Sequence, residues 1–307
     1  MPIPGLGSQD PRVCYTRGKG CSELAELLAP GSSRVTGDLD EACIRARADL
    51  LVTRKPPGGF SLVSVVSPLD FEPAEVTAVV AAIAGGPHSE LNVQVSDHLA
   101  RRLNVDVHIA TAYTDQDASG HAESLVARLG EFVPHAKQLS IQASDLTEFV
   151  KALPSGALLV LGEAGGSLLS RLVFGPGARL RARAQAGALI VRAAPPRVFQ
   201  VMDDPVFVGP LHLAGDGRRL YDDELVAVVE GGKLVGVVER TRLLAAAADA
   251  PVANLMDDPI SVTATMSLVE AATSIAGAHQ NSRDREKSPG PWPVVDANGH
   301  LIGTYRQ

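Results

Sequence analysis

The sequence predicts an α/β protein on a parallel sheet, followed by a smaller α+β module present twice. Three observations carry that expectation. Short apolar runs alternate with helix-period stretches from Arg12 to Arg192, the pattern of βα units that feed a parallel sheet. Within that region, Leu158–Arg192 reads as a strand, a glycine-spaced loop, a helix and a second strand. In the last third, Val201-Met202-Asp203-Asp204-Pro205-Val206 recurs as Leu255-Met256-Asp257-Asp258-Pro259-Ile260, a repeat of about 54 residues.

In chain order, residues 1–59 form a small segment of their own. Arg12–Arg17, Ser22–Ala29, Ser33–Thr36, Leu39–Ala48 and Leu50–Arg54 read as β-α-β-α-β, with Pro56-Pro57-Gly58-Gly59 as a linker. This half-unit is expected to extend or pack against the neighbouring sheet. Gly18-Lys19-Gly20-Cys21-Ser22 has the look of a phosphate loop, but Val13 stands where a Walker A motif needs glycine.

Residues 60–194 form the main α/β domain. Leu62–Leu69 is read as its buried first strand, followed by a helical stretch from Pro73, strand Val105–Ala112, helix Gly120–Phe132, strand Gln138–Ala143 and helix Ser144–Leu153. Next come the apolar run Leu158–Leu161, the glycines Gly162, Gly165 and Gly175 in the spacing G-x2-G-x9-G, and a last helix Gly177–Ala186. Glycine lets backbone approach a ligand closely, and the free N–H groups opening the next helix favour an anion such as phosphate.

This spacing resembles that of the universal stress protein family, whose members carry G-x2-G-x9-G-[S/T] between the fourth strand and last helix of a five-stranded parallel sheet. The resemblance implies an adenine nucleotide, ATP or AMP, held by Gly162, Gly165, Gly175 and Gly177, with Asp70 of Ser67–Pro73 on the adenine or ribose. Asp70 and the glycine loop are thereby expected together at the carboxyl ends of the strands. Pro176 departs from the pattern: it replaces the Ser or Thr hydroxyl and lacks an N–H, removing two phosphate hydrogen bonds of about 0.5–1.5 kcal/mol each. Arg171, Arg179, Arg181 and Arg183 assist phosphate or form a solvated face.

After Ala193-Ala194-Pro195-Pro196-Arg197, residues 198–307 carry the duplication. Each copy has a hairpin pattern, Leu225–Val238 around Gly231-Gly232 and Trp292–Tyr305 around Asn298-Gly299. The copies resemble a pair of CBS domains, in which M-x-x-P-I/V opens the module and P-V-V-D-x-x-G-x-L-x-G marks its hairpin. Copy two also has the helix Ser267–Ala278 with a Ser267/Glu270 capping box, whereas Gly209–Glu224 makes copy one abbreviated. CBS pairs bind adenosine compounds through G-h-x-[S/T]-x-x-D. Here Gly236 opens the motif but Arg242 stands at the aspartate position, and copy two stops at Gln307 soon after Gly303. Thr241, Arg242 and Asp216 are the residues left to contact a ligand, Arg242 by way of phosphate.

Composition narrows the function. The net charge of -7 argues against broad nucleic-acid binding. No apolar run has the length of a membrane span, and the first ten residues lack a signal core, so a cytoplasmic protein is expected. Cys14, Cys21 and Cys43 are read as free thiols, and the eight histidines show no metal-ligand spacing. Asp97 and His98 offer an acid/base pair or, more simply, a solvated helix face. With no catalytic constellation, the expectation is a non-enzymatic regulator that senses adenine nucleotide and acts on a partner, or an adaptor without ligand. A homodimer is expected through the stripe Val269, Ala272, Ile275 and Ala276.

Overall fold

Residues 10–55, 62–163, 186–220, 223–281 and 290–306 are described by a computed structural model. The chain divides between Ala194 and Pro195 into two compact units.

The first unit is built on one nine-stranded sheet. Its strands are β1 (Val13–Tyr15), β2 (Ser33–Arg34), β3 (Leu50–Val52), β4 (Ser64–Leu69), β5 (Ala78–Ala82), β6 (Asp106–Tyr113), β7 (Lys137–Gln142), β8 (Ala157–Gly162) and β9 (Ala188–Arg192), in the order β2-β1-β3-β4-β9-β8-β5-β6-β7. Every pairing is parallel except β4 with β9, where Ser67 faces Ile190. The sheet is therefore two parallel sets joined back to back. Residues 10–55 are part of it, not a separate body.

The connecting helices are α1 (Cys21–Leu28), α2 (Leu39–Arg45), α3 (Ser89–Leu103), α4 (Ser119–Gly130) and α5 (Leu146–Lys151). Leucines of α1, α3 and α4 enter one apolar cluster with Val13, Leu50, Val79 and Ile109. Phe149 of α5 enters another, with Val80, Ala82, Leu159 and Leu161. Alternate residues of β5 thus face opposite cores, as in a strand buried on both sides.

The two sets follow one plan. The second runs β5-α3-β6-α4-β7-α5-β8-β9, and the first runs β1-α1-β2-α2-β3-β4, lacking a counterpart of α4 and β7. Local sequence follows suit. Ser22-Glu23-Leu24 in α1 matches Ser89-Glu90-Leu91 in α3. Asp38 caps α2 by accepting from the Asp40 and Glu41 N–H groups, as Asp145 caps α5 by accepting from Glu148.

One expectation is corrected here. The first strand of the five-stranded set is Ala78–Ala82, and Leu62–Leu69 supplies the last strand of the shorter set instead. The stretch from Pro73 forms a single 3-10 turn, Pro73–Glu75, before the chain extends. AVVAA has alanines that favour helix in isolation, yet full burial between two layers selects strand.

The second unit contains two three-stranded sheets, β10 (Phe207–Val208), β11 (Leu225–Glu230), β12 (Lys233–Glu239) and β13 (Val262–Thr263), β14 (Trp292–Val295), β15 (Leu301–Tyr305). Each has a parallel first pair and an antiparallel hairpin. Its helices are α6 (Val198–Val201), α7 (Ala214–Leu220), α8 (Arg240–Ala245) and α9 (Leu268–Asn281). Cross-links between copies come in matching pairs: Asp203 bridges Thr304 as Asp257 bridges Val237, and Arg197 bridges Ser267 as Pro251 bridges Leu213. Among the described residues α7 spans seven residues and α9 fourteen. Gly231 and Gly232 both take positive φ, as a two-residue hairpin turn requires.

Candidate functional site

The carboxyl ends of β5 and β8 adjoin where the strand order of the five-stranded set reverses, the place at which open α/β sheets hold ligands. Asn92, fully buried at the start of α3, fixes this edge. Its Nδ2 donates to the Ala82 carbonyl at 2.8 Å and the Val160 carbonyl at 3.0 Å, stitching β5 to β8. Ser96 donates to its Oδ1, so the amide is satisfied. On the other side, the Thr111 hydroxyl donates to the Ile83 carbonyl at 2.9 Å. The last strand carbonyls are thus held rigidly, and sequence reading missed both residues because each looks like an ordinary polar position in its element.

Beyond Ile83 the chain turns through Gly85 at φ 75°, a conformation that favours glycine. A depression of about 550 Å³ lies between this turn and α4, lined by Ala84, Gly85, His121, Ser124, Leu125 and Arg128. Leu125 forms an apolar floor against Gly85, with both methyls 3.6 Å from where a Cβ would stand. His121, Ser124 and Arg128 are exposed on the rim, and neither His121 nor Arg128 forms an ion pair with another described residue. An apolar floor beside a cation and a hydroxyl suits a ligand with one flat apolar part and one anionic part.

The residues singled out in the sequence fare differently. Gly162 ends β8 at this edge, but its φ is not positive; His88 packs where its Cβ would be, at 3.1 Å. Close packing explains that glycine. The His88 Nδ1 accepts from the Ala193 N–H, and burial lowers the ring's pKa. Glu163 pairs with Arg192, so its carboxylate is neutralised. Gly165, Gly175, Pro176, Gly177 and the arginines from Arg171 to Arg183 lie outside the described residues, as does the linker Pro56–Gly59.

Asp70 is corrected. Because β4 runs antiparallel to β9, Asp70 follows Leu69, which faces Ala188 at the opening of β9, on the sheet edge opposite Gly162. It sits at φ 51° with its carbonyl against Gly187, where a Cβ would approach to 2.2 Å. There it forms the turn that joins the two strand sets, away from Gly162, the one glycine of the spaced loop among the described residues. Asp97 and His98 also separate: Asp97 pairs with Arg101 and His135, while His98 bonds the Leu28 carbonyl at 2.6 Å. They are no acid/base pair.

In the second unit, Arg242 is engaged 2.9 Å from the Asp257 carboxylate, with half of its side chain exposed. The Thr241 hydroxyl donates to Glu239 at 3.4 Å. Gly236 and Gly303 press on the opposite copy: a Cβ at Gly236 would meet the Asp257 carbonyl at 2.8 Å, and one at Gly303 the Asp203 carbonyl at 2.8 Å. Met256 and Met202 complete these two contacts, so the repeated methionine-aspartate phrase is explained by packing between copies. The stripe expected on α9 is split: Ile275 is buried within the unit and Ala272 half-buried, whereas Val269 is 68% exposed and Ala276 exposed.

Among the described residues, no three metal-ligating side chains cluster, and no helix is long and apolar enough to cross a membrane.

No family model matches the chain, and no curated protein does. Solved structures with partial likeness include the soluble part of a magnesium transporter (19% identity, TM-score 0.31), over 36% of this chain and 44% of that one. A CBS domain pair/ACT domain protein from Thermotoga maritima aligns over 36% of this chain and 88% of its own, at 23% identity and TM-score 0.30. The cytosolic domain of the Mg2+ channel MgtE in complex with ATP aligns over 73% and 83%, at 16% identity and TM-score 0.31. The chain thus spans less than half of the magnesium transporter fragment, and none of these likenesses, with TM-scores near 0.3, establishes a family.

Proposed function

We propose that this chain is a non-catalytic regulatory protein whose α/β unit binds an adenine nucleotide, ATP or AMP, and whose duplicated unit acts on a partner protein such as a transporter or an enzyme. The observation that carries this reading is the depression at the carboxyl end of β5, where Arg128, His121 and Ser124 border the Leu125 floor. Arg128 supplies the charge for a phosphate and Leu125 the surface for a base. A five-stranded parallel set whose fourth strand ends at Gly162, the first glycine of the spaced loop, supports the resemblance to universal stress proteins. The repeated hairpins and matched bridges support a CBS-like pair.

The test is thermal denaturation with ATP, ADP or AMP at millimolar concentration. A ligand that binds the native state alone stabilises by RT ln(1 + [L]/Kd), about 2.7 kcal/mol at a hundredfold excess over Kd. Arg128→Ala abolishes the shift on this reading, while Asp70→Ala, on the other edge, leaves it.

A second reading, a ligand-free adaptor, is favoured by one specific observation: the Arg242–Asp257 ion pair fills the place where a CBS ligand's ribose acid is missing. Absence of a shift with any of the three nucleotides selects it.

We further propose a homodimer. Exposed apolar residues of the second unit, among them Val269, Phe207 and Leu211, support this reading. Light scattering at micromolar concentration checks this; a monomeric mass contradicts it.

A further inference from the structure

The shorter strand set holds a pair of thiols that neither the nucleotide site nor the duplicated unit uses. Along β1, Val13 and Tyr15 face the apolar cluster beneath α1, while Cys14 points to the opposite layer. That layer is α2, and of its seven residues only Cys43 is buried. The two side chains are hydrogen-bonded to each other, and both are almost wholly buried, at 1% and 2% exposure. Both are free thiols. Cys21 belongs to the other face, at the start of α1 within the cluster. The fold therefore brings together two of the three cysteines and keeps the third apart.

We propose that Cys14 and Cys43 form an oxidative modification site, closing to an intramolecular disulfide when the protein meets a two-electron oxidant of the peroxide class. The hydrogen bond between the two lowers the Cys14 thiol from its usual range, and the same bond together with burial raises Cys43. The bridge is the same whichever sulfur attacks first. With Cys14 in that role, its thiolate attacks one peroxide oxygen and breaks the O–O bond, leaving Cys14 as a sulfenic acid and releasing hydroxide, which takes a proton to become water. The Cys43 sulfur then attacks the Cys14 sulfur. The S–S bond forms, the sulfenic oxygen leaves as hydroxide, and the Cys43 proton converts it to a second water. Two thiols lose two electrons and two protons, and one peroxide becomes two waters.

Access comes from α2 itself. A helix of seven residues anchored by a single buried side chain belongs to the low-stability end of a fold, and its local opening exposes both sulfurs. Once formed, the bridge ties α2 to β1 across β2 and α1, constraining the chain between them.

The experiment uses the reduced full-length chain, treated with hydrogen peroxide, then denatured and labelled with an alkylating reagent. Labelled cysteines are expected to fall from three to one, with a linked peptide pair containing Cys14 and Cys43, and a thiol reductant restores all three. Cys21→Ser keeps the linkage, whereas Cys14→Ser and, separately, Cys43→Ala abolish it. Three labelled cysteines after treatment overturn the proposal. So does over-oxidation of one cysteine without linkage, or a bridge through Cys21.

Discussion

The two strand sets of the first unit share a plan, yet they differ beside the turn after the first strand, where the longer one has a depression bordered by a helix that the shorter one lacks. The difference is α4 and β7. In the longer set α4 supplies His121, Ser124, Leu125 and Arg128, four of the six lining residues. The shorter set goes from β2 through α2 straight to β3, and the turn after β1 is flanked by Arg54, Pro68 and Phe71 in place of a helix. At that turn Gly18 serves packing instead. A Cβ at Gly18 would lie 2.9 Å from the Cys21 sulfur, and Lys19 is spent on an exposed pair with Glu72. What separates the two halves is one helix and one strand, α4 and β7, not the glycine-containing turn that both possess.

The seam between the halves offers the sharpest way to break that comparison. Gly187 combines φ 85° with a Cβ position 2.2 Å from the Asp70 carbonyl oxygen, so Gly187→Ala both strains the backbone and pushes β4 away from β9. The expected loss is about 3 kcal/mol or more in urea denaturation, from positive-φ strain plus overpacking. A loss below about 1 kcal/mol means that the seam is loose and the halves are independent.

Next in size is a contrast between the helices covering the reverse face. Phe149→Ala empties the fully buried anchor of α5 and is expected to cost about 3–5 kcal/mol, whereas Cys43→Ala, trimming the anchor of α2, costs about 1 kcal/mol. Equal losses contradict the view of α2 as the weaker cover.

Much of this architecture was legible in the sequence. Alternating apolar runs located the strands of residues 10–55 and the hairpins of the duplicated unit, because pattern and turn chemistry agree there: Gly231-Gly232 and Asp38 act locally. The edge on which Asp70 lies was not legible. It depends on the antiparallel pairing of β4 with β9, a contact between residues far apart in sequence, and a misread AVVAA strand shifted the count by one. Arg128 escaped notice for a similar reason. On a helix it is an ordinary solvated cation, and only the turn at Gly85 makes it part of the lining of the depression.

A pH titration gives a smaller effect that separates structure from binding. Burial lowers the pKa of His98 and, likewise, of His88 and His108. Below the ordinary histidine value of about 6.5, the unfolded chain then holds more protons than the folded one, so stability falls as pH drops from there towards the lowered folded values. His98 links α3 to the Leu28 carbonyl at the end of α1, and so spans both sets. The melting temperature is expected to decline through that acid window, and His98→Gln to flatten the decline. An unchanged slope in the variant assigns the acid sensitivity elsewhere.

The most direct test of the central claim, that the longer set alone carries a nucleotide site bordered by α4, is the affinity for ATP and AMP measured calorimetrically on the full chain. Wild type is expected to bind one nucleotide per chain, Arg128→Ala to weaken it at least tenfold, and Asp70→Ala to match wild type. Binding that survives Arg128→Ala but is lost in Asp70→Ala would place the ligand at the opposite edge and contradict the account.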